Sequence, residues 1–577
     1  MEGGIGNTWV ESCHKLLPFL SGKNISRQLS IVNDPAAKNV PQRPFIYDYT
    51  SRRSTDWAKQ CLMKCEESHS SCEPPKPVHV PSRLLHIDHS GCEESLSVKL
   101  CYTASRAHTD EGGIRYATLS YCWGGPQDFR LDGSSEDKLL RGILVTLLPK
   151  TIIDAVKVAF DLGISWIWID SLCIRQDDTS DKAIEIAQMH RVYRSSSVTI
   201  SATRAESCQQ GFLYPCSLPP LGRVSYSLPV ALSTGELGSI ILSNTNKVTP
   251  IDHRSWTLQE HLLARRVLRF TDYGQHWSCG TISKFENIDL LQPPRAYKRG
   301  IEKMCELAKS LRESRGLLPS VNNWIDIVQQ YTRRQFTVAS DKLLAISAIA
   351  EAWDPDLADA YLAGIWESQL PESLMWESNR RHVQIPSATH VAPSWSWASI
   401  SGSNIVWNYG MRSELDPQIE IEHCSVELAN DYAPYGDVKK GELIISGLLQ
   451  TTTINEVYPR AVPVNETALV LDLSTAYTAF DFYGEPLKAQ VADARLYCFQ
   501  INVYDKESMA GPSGLILASI DDVKFTRIGI FEFMPTYDDL EEEMEDGYAR
   551  NEEDKAKKQA VQSAAFRNIV PRTICLI

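Results

Sequence analysis

Hydrophobic residues along the middle of the chain recur with two different periods. Short apolar runs such as YATLSY (116–121), WIWI (166–169) and SSVTISA (196–202) have the length and the β-branched and aromatic content of buried strands. The stretches between them, LPKTIIDAVKVAFDLGI (148–164) and SDKAIEIAQMHRVYR (180–194), repeat apolar residues at helical spacing. This alternation predicts an α/β domain built on a doubly wound, flavodoxin-like parallel sheet.

Both predicted helices have an apolar face that is expected to pack on the sheet. In the first helix this face consists of Ile152, Ala155, Val156 and Ala159. Thr151 and Asp154 have the spacing of a capping box at its start. In the second helix the inward positions are Ala183, Ile186, Met189 and Tyr193.

The rest of the chain changes pattern several times. Residues 203–250 are rich in Pro, Gly and Ser and are interpreted as an insertion, after which a helix is predicted from Trp256 to Ala264 and a strand from Val267 to Phe270. The acidic run 538–547 is expected to be a solvated surface. The predicted division is a helical lead-in (1–80), the α/β domain (81–290), a helical region (291–390) and a β-rich C-terminal region (391–577).

Two polar loops follow predicted strands of the α/β domain. Residues 170–178 follow WIWI, and residues 122–128 follow YATLSY. Ligands of open α/β sheets bind beyond the carboxyl ends of the strands, so both loops are expected to line one crevice. The sequence has no GxGxxG or Walker A run, so side chains and loop amides would have to hold a dinucleotide.

Composition and charge narrow the possible partners. The formal net charge of −14 disfavours a nucleic-acid partner, because such surfaces need clustered Lys and Arg. There is no basic region before the first apolar run, as a secretory signal would have, and no apolar run near the ~18 residues that span a membrane. A cytoplasmic location without a membrane span is expected, with the fifteen cysteines as reduced thiols.

One cysteine-rich stretch resembles a zinc site in residue type. Cys61, Cys65, His69 and Cys72 have offsets of 4, 4 and 3, which place them on one stripe of a single helix. Over that span the ends of a continuous helix lie ~16 Å apart, too far for one ion. A buried helix face ending at PPKP is therefore favoured, and no metal site is predicted unless the helix breaks near Ser68.

The loop after WIWI leaves other chemistry open. Asp170, Asp177 and Asp178 are suitable ligands for Mg²⁺ or Ca²⁺, although capping of the next helix by Asp177, Asp178 or Ser180 is favoured. Cys173 is a candidate nucleophile with His253 or His261 as its base. The flanking carboxylates would raise the pKa of that thiol, which disfavours this interpretation.

Four ordered motifs resemble those of the fungal heterokaryon-incompatibility (HET) domain: YATLSYCWGG, LPKTIIDAVKVAFDLGISWIWIDSLCIRQDD, MHRVYRSSSVTISAT and RSWTLQEHLLARRVLRF. The resemblance implies a fungal cytosolic protein of vegetative incompatibility, in which non-self recognition leads to growth arrest or programmed cell death. It also implies a protein partner from an incompatible allele or locus, and homo-oligomers are possible. The motif residues that it marks as candidates for ligand contact are Ser120, Trp123, Gly124, Asp170, Cys173, Gln176, Asp177, Arg254, Trp256 and Gln259.

The order of elements also resembles, more distantly, the Toll/interleukin-1 receptor (TIR) domain, some members of which cleave NAD. That resemblance places Glu260 of WTLQE in the catalytic position, with NAD as substrate and no other cofactor. It requires the segment 203–250 to be an insertion, and Glu260, Ser120 or Trp123, and Asp170 to converge. Two alternatives stay open: Glu260 forms an ion pair with Arg254, Arg265 or Arg266, or the protein is an accessory factor of another pathway such as secondary metabolism.

Overall fold

The computed structural model describes most of the chain in two compact units, Met1–Arg312 and Glu313–Ile577. The described residues are 27–29, 35, 45–74, 78–89, 96–104, 114–127, 129–218, 225–231, 234–243, 249–286, 295–313, 321–335, 341–353, 359–378, 392–400, 404–407, 419–430, 433–452, 476–480, 494–502, 512–533, 566 and 569–577. The acidic run 538–547 lies outside them. No described helix is long and apolar enough to cross a membrane.

The strands of the first unit are, in chain order, β1 (Arg27–Leu29), β2 (Phe45–Tyr47), β3 (Arg83–His89), β4 (Leu96–Tyr102), β5 (Ala117–Ser120), β6 (Ile143–Leu144), β7 (Trp166–Trp168), β8 (Val198–Ser201), β9 (Cys216–Leu218), β10 (Ser225–Ala231), β11 (Leu237–Ser243), β12 (Arg266–Thr271), β13 (Gly274–Cys279) and β14 (Ser283–Phe285). Its helices are α1 (Arg52–Ser68), α2 (Glu136–Arg141), α3 (Lys150–Asp161), α4 (Asp170–Cys173), α5 (Thr179–Ser195), α6 (Trp256–Leu263) and α7 (Arg295–Glu313). Short 3₁₀ turns cover Ser70–Cys72, Val145–Leu147 and Pro250–His253.

A mixed nine-stranded sheet forms the centre of this unit, in the order β14-β13-β12-β8-β5-β7-β3-β4-β6. The four strands β12, β8, β5 and β7 pair in parallel, and the strands on both sides of them pair antiparallel. The predicted α/β class is confirmed. The sheet is not parallel throughout, because the β3–β4 and β12–β13–β14 hairpins extend it with antiparallel partners.

The apolar pattern places the core of this unit correctly around α3. Ile152, Ala155, Val156 and Ala159 are all buried, and β5 and β8 are buried along their whole lengths. Complete burial is expected of central strands that are covered on both faces. These elements support the edge where β5 and β8 end.

Two local predictions about the helices are wrong. Thr151 and Asp154 do not form a capping box: Asp154 Oδ2 accepts hydrogen bonds from the backbone N–H groups of Phe212 (2.7 Å) and Leu213 (3.0 Å), and Thr151 Oγ1 donates to the Ser207 carbonyl at 2.9 Å. Both polar side chains therefore hold the 207–213 loop.

In α5 the inward face is partly polar. Ala183 is exposed, whereas Glu185 is buried and ion-pairs with Arg83 at 3.4 Å. Met189 and Tyr193 are buried as predicted, and Ile186 is half-buried. A buried ion pair therefore takes a place that hydrophobic periodicity assigns to an apolar residue.

The predicted continuation of α1 to PPKP is also wrong. α1 ends at Ser68, and His69 has φ −110° and ψ 94°, an extended conformation. The Ser70–Cys72 turn follows at once. The helical offsets of Cys65, His69 and Cys72 therefore do not describe one helix face.

Strands from the segment 203–250 lie outside the nine-stranded sheet. β9 pairs with β2, while β10 and β11 pair with each other and β11 with β1. This pairing agrees with the prediction that the segment is an insertion into the α/β domain.

The described part of the second unit contains helices and strands. The helices are α8 (Val321–Thr332) and α9 (Asp341–Trp353), and the strands are β15 (Tyr361–Leu362), β16 (Ile365–Trp366), β17 (Glu377–Ser378), β18 (Ile405–Val406), β19 (Glu420–Leu428), β20 (Val438–Gly447), β21 (Leu449–Thr452), β22 (Ala476–Phe480), β23 (Leu496–Asn502), β24 (Ser513–Ser519), β25 (Lys524–Phe533) and β26 (Arg572–Leu576). 3₁₀ turns cover Glu367–Gln369, Glu372–Leu374 and Trp397–Ser399. Its main sheet has the order β19-β20-β26-β25-β24-β23-β21, with β22 on β25. The described strands β19 to β26 of the β-rich C-terminal pattern thus form one sheet, whereas β18 pairs with β17 outside it. The four-segment division of the chain stays a prediction.

Candidate functional site

The candidate site is built where two neighbouring parallel strands end. Ser120 and Ser201 are the last residues of β5 and β8 and lie opposite each other in the strand register. His261 Nε2 lies 3.4 Å from Ser120 Oγ and 3.1 Å from Ser201 Oγ. His261 comes from α6, so this helix is held against the carboxyl ends of both strands.

Glu260 precedes His261 on α6 and is 4% exposed. The Ser120 and Tyr193 hydroxyls lie close enough to its carboxyl group to act on its pKa, and the Tyr193 hydroxyl donates a hydrogen bond to the Leu119 carbonyl at 3.1 Å. Its Oε2 atom has no hydrogen-bond partner among the described residues, and neither has the Oε1 atom of the adjacent Gln259. Buried acceptors of this kind are costly, and they mark places where a ligand or an ordered water is expected.

The electrostatic environment keeps this carboxyl partly protonated at neutral pH. Burial raises the pKa of Glu260 to about 7, against the opposing positive charge of Arg254 and the hydrogen bonds from Ser120 and Tyr193. The negative charge of Asp170 raises it further. A carboxyl whose pKa lies near the working pH is suited to proton transfer and to stabilising a developing positive charge.

Asp170 forms a second, more accessible acidic position. It begins α4 directly after β7 and is half-buried. Its Oδ2 accepts a hydrogen bond from Trp123 Nε1 at 2.8 Å, and its Oδ1 accepts one from the Ser171 N–H at 2.7 Å. Burial raises the pKa of this carboxyl, against the positive charge of Arg254 and the Trp123 hydrogen bond.

Arg254 is the cation shared by the two acids. Its charge acts on both Asp170 and Glu260, and its guanidinium donates to the Tyr121 carbonyl just beyond β5. Arg265 and Arg266 instead donate to backbone carbonyls of other segments. Of the three arginines considered from the sequence as partners of Glu260, the structure therefore favours Arg254.

The turn after β5 brings Trp123 to this group. Gly124 follows with φ +75°, and a Cβ atom there would lie 2.2 Å from Ser207 Cβ. Only glycine fits this close approach in the left-handed region. The Trp123 carbonyl accepts a hydrogen bond from the Cys208 N–H at 3.2 Å, which holds the turn against the 207–213 loop.

The remaining predicted residues lie beside the group rather than in it. Gln176 donates to the carbonyls of Asp170 (3.2 Å) and Ile174 (2.9 Å) and so supports the loop. Trp256 is half-buried at the start of α6. Asp177 is exposed and accepts a hydrogen bond from the Gly133 N–H at 2.9 Å.

Two alternatives for the loop after β7 lose support. Cys173 is fully buried in the core, and burial raises the pKa of its thiol to about 12, which disfavours a nucleophile. Asp178 accepts hydrogen bonds from the Ser180 and Asp181 N–H groups, so it caps α5 as predicted. Among the described residues, Asp170, Asp177 and Asp178 do not form a group close enough to share an ion.

The roles of three residues in the site are not predicted from the sequence. Ser201 repeats the position of Ser120 at a strand end, and this repetition is the signal that would have found it. Tyr193 was assigned to the core alone, although its hydroxyl reaches Glu260. His261 was considered only as a base for Cys173, whereas it binds the two serines.

Comparison with known proteins identifies the segment that contains most of this site. Residues 116–260 match the family model described as heterokaryon incompatibility protein (HET). No curated protein and no solved structure matches the chain. The matched segment runs from one residue before β5 to Glu260, so it includes Ser120, Trp123, Asp170 and Arg254.

Proposed function

We propose that this chain, which carries a HET domain over residues 116–260, acts in heterokaryon incompatibility as the effector of growth arrest and cell death. The observation that carries this proposal is the match to the family model. In this proposal a protein from an incompatible allele or locus provides the trigger in the cytoplasm of a fungal cell. The HET domain then produces the toxic outcome.

A specific observation favours a second candidate, cleavage of NAD through Glu260. Its carboxyl group is buried, has an unpartnered oxygen and has a pKa near 7. The parallel strand order β7-β5-β8-β12 supports a ligand site at this edge, because the order reverses between β5 and β8. In doubly wound sheets such a reversal marks the binding crevice.

The chemistry of this candidate needs one well-placed carboxylate. When the nicotinamide glycosidic bond breaks, its electron pair neutralises the positive ring nitrogen, and the ribose becomes oxocarbenium-like. A nearby carboxylate stabilises that charge until water attacks the anomeric carbon and loses a proton. Glu260 is the proposed carboxylate, and its unpartnered Oε2 is suited to accept a hydrogen bond from a ribose hydroxyl.

The ionisation of Glu260 sets the expected pH dependence of this activity. The carboxylate is the active form, and its pKa is about 7. NAD cleavage is therefore expected to rise between pH 6 and pH 8. A rate measured on purified protein that falls over this interval contradicts the assigned role.

Both candidates are tested by expressing the wild type, Glu260→Gln and Glu185→Gln in yeast and following colony formation and cellular NAD. Glu185 is a matched control because it is another buried glutamate in the first unit, paired with Arg83 at 3.4 Å. We expect the wild type and Glu185→Gln to kill and to deplete NAD, and Glu260→Gln to do neither at equal protein level.

The outcomes separate the two candidates. Killing without loss of NAD, or full toxicity of Glu260→Gln, excludes NAD cleavage and leaves the incompatibility role. A wild type that permits normal growth at high expression, both alone and with proteins from incompatible strains, overturns the effector role itself.

A further inference from the structure

We propose that Cys65, His69, Cys72 and Cys279 bind one structural zinc ion in the first unit. Their ligand atoms, three Sγ atoms and one imidazole nitrogen, all lie within 4.8 Å of one another. In a tetrahedral site with Zn–S bonds of ~2.3 Å, neighbouring sulfur atoms lie ~3.8 Å apart. Shifts of about an ångström or less would bring the four atoms to that geometry.

The backbone conformation explains how residues with helical spacing converge. α1 ends at Ser68, three residues after Cys65, and His69 takes an extended conformation. The 3₁₀ turn Ser70–Cys72 then brings Cys72 back towards the helix end. The obstacle of a continuous helix, whose ends would lie ~16 Å apart, is thus removed.

The fourth ligand comes from a distant part of the chain. Cys279 is the last residue of β13, more than 200 residues beyond Cys72. Its Sγ atom lies 3.5 Å from His69 Nδ1. An ion at this point would join the end of α1 to an antiparallel flank of the nine-stranded sheet.

The cysteine sulfur atoms of this group are largely shielded from solvent and have hydrogen-bond donors nearby, as metal-bound thiolates require. Cys65 is 0% exposed and Cys72 is 1% exposed. Arg266 Nε donates to Cys65 Sγ at 3.0 Å, and the Ile282 N–H donates to Cys279 Sγ at 3.4 Å. Three thiolates and one neutral imidazole around Zn²⁺ leave one net negative charge, which the Arg266 guanidinium offsets.

Further contacts hold the turn that carries Cys72. Arg265 and Arg266 both donate to the Cys72 carbonyl at 3.1 Å. Gly280 approaches closely enough that a Cβ atom there would lie 3.3 Å from Cys72 Sγ. Ligand orientation by outer contacts of this kind is typical of metal sites.

The donor set selects the metal and its role. Thiolates and an imidazole favour Zn²⁺ over Mg²⁺ or Ca²⁺, which prefer oxygen ligands. Four protein ligands fill a tetrahedral coordination sphere, so no position stays open for a reacting water. The ion therefore has a structural role, independent of the chemistry proposed for Glu260.

The first test is metal analysis of the full-length chain purified without chelator. We expect about one zinc per chain by mass spectrometry, and the intense d–d and thiolate charge-transfer bands of tetrahedral cobalt after exchange with Co²⁺. Less than a tenth of an equivalent of zinc, together with a cobalt spectrum that lacks thiolate bands, overturns the proposal. A disulfide among Cys65, Cys72 and Cys279 in the purified chain overturns it as well.

The second test assigns the ligands. Cys279→Ser is expected to lower zinc affinity at least ~100-fold, as loss of one of four ligands requires. Cys61→Ser is the matched control, since Cys61 is buried one turn earlier on α1. The proposal fails if Cys279→Ser keeps one zinc per chain with wild-type affinity or if Cys61→Ser loses the ion. If Cys279→Ser is insoluble, the cobalt spectrum of the wild type decides.

Discussion

At the scale of single residues, Glu260 is a buried carboxyl whose surroundings only partly compensate its charge. Arg254 and two hydroxyl groups lower its pKa, but burial and Asp170 outweigh them. One pKa unit corresponds to about 1.4 kcal/mol. The ionised form is therefore destabilising in the folded state, which is common for groups kept for chemistry rather than for stability.

This imbalance predicts that Glu260→Gln is more stable than the wild type at alkaline pH. The folded-state pKa of about 7 exceeds the reference value of 4.5, so the folded chain binds more protons between these values. The free energy of unfolding therefore falls as pH rises from 4.5 to 7. We expect a gain of about 3 kcal/mol for Glu260→Gln at pH 8 that disappears near pH 4.5, measured by urea denaturation.

Glu185→Gln is the control for this measurement, because it removes a buried charge that is paired with Arg83. It is expected to lower the free energy of unfolding at pH 8. A Glu260→Gln variant that is less stable than the wild type at both pH values would contradict this prediction. It would show that interactions of the carboxylate in the folded state outweigh the cost of its burial.

The residues of the site could be predicted from the sequence only in part. Asp170 is predicted because strand ends can be located from apolar runs, whereas Ser120 and Glu260 are predicted from family resemblances. The orientation of His261 could not be predicted. Residues Thr257–Leu263 of α6 are all buried although several of them are polar, so the usual contrast between a polar exposed face and an apolar buried face does not indicate the rotation of the helix.

At the scale of elements, two sequence patterns that both indicate helix capping lead to different structures. Asp178 caps α5, as its position before Thr179 indicates, whereas the Thr151–Asp154 pair binds the 207–213 loop. The second outcome depends on residues more than 50 positions away, which local spacing does not contain. The end of α1 at Ser68 is not predicted either, because residues 68–70 include neither the glycine nor the proline that commonly ends a helix.

The cap of α5 is expected to contribute measurably to stability. Asp178 Oδ1 accepts hydrogen bonds from the Ser180 N–H at 2.9 Å and the Asp181 N–H at 3.1 Å. We expect Asp178→Ala to lower the free energy of unfolding by about 1 kcal/mol and Asp178→Asn to restore most of it, because Asn keeps the acceptor. Equal stabilities of the two variants in chemical denaturation would show that the cap contributes nothing.

At the scale of the whole molecule, the chain divides into two compact units, Met1–Arg312 and Glu313–Ile577. The helical lead-in contributes α1 to the core of the first unit through Cys61, Leu62 and Cys65. In the second unit, tryptophans such as Trp324 and Trp397 are buried and donate to the Gly364 carbonyl at 2.9 and 2.8 Å. Pattern changes along the sequence mark changes of secondary structure, but a domain is defined by long-range packing that they do not reveal.

Because each unit has its own buried core, we expect each to have its own thermal transition. Gly364 has φ +99°, and a Cβ atom there would lie 2.8 Å from the Trp397 ring. Gly364→Ala is therefore expected to destabilise the second unit by about 2 kcal/mol or more. Asp178→Ala, in the first unit, is expected to lower its melting temperature by about 2–4 °C.

Differential scanning calorimetry of the two variants and the wild type tests this independence. Each substitution should shift the transition of its own unit by a few degrees, since ~1 kcal/mol moves a unit of this size by that amount. The melting temperature of the other unit should stay within about 1 °C of the wild type, because its core is unchanged. One cooperative transition that both variants shift, with equal calorimetric and van't Hoff enthalpies, would mean that the two cores unfold as one. In that case a substitution in the second unit would also lower the fraction of molecules in which the Glu260 site is folded. The toxicity of such a variant would then have to be divided by its amount of folded protein.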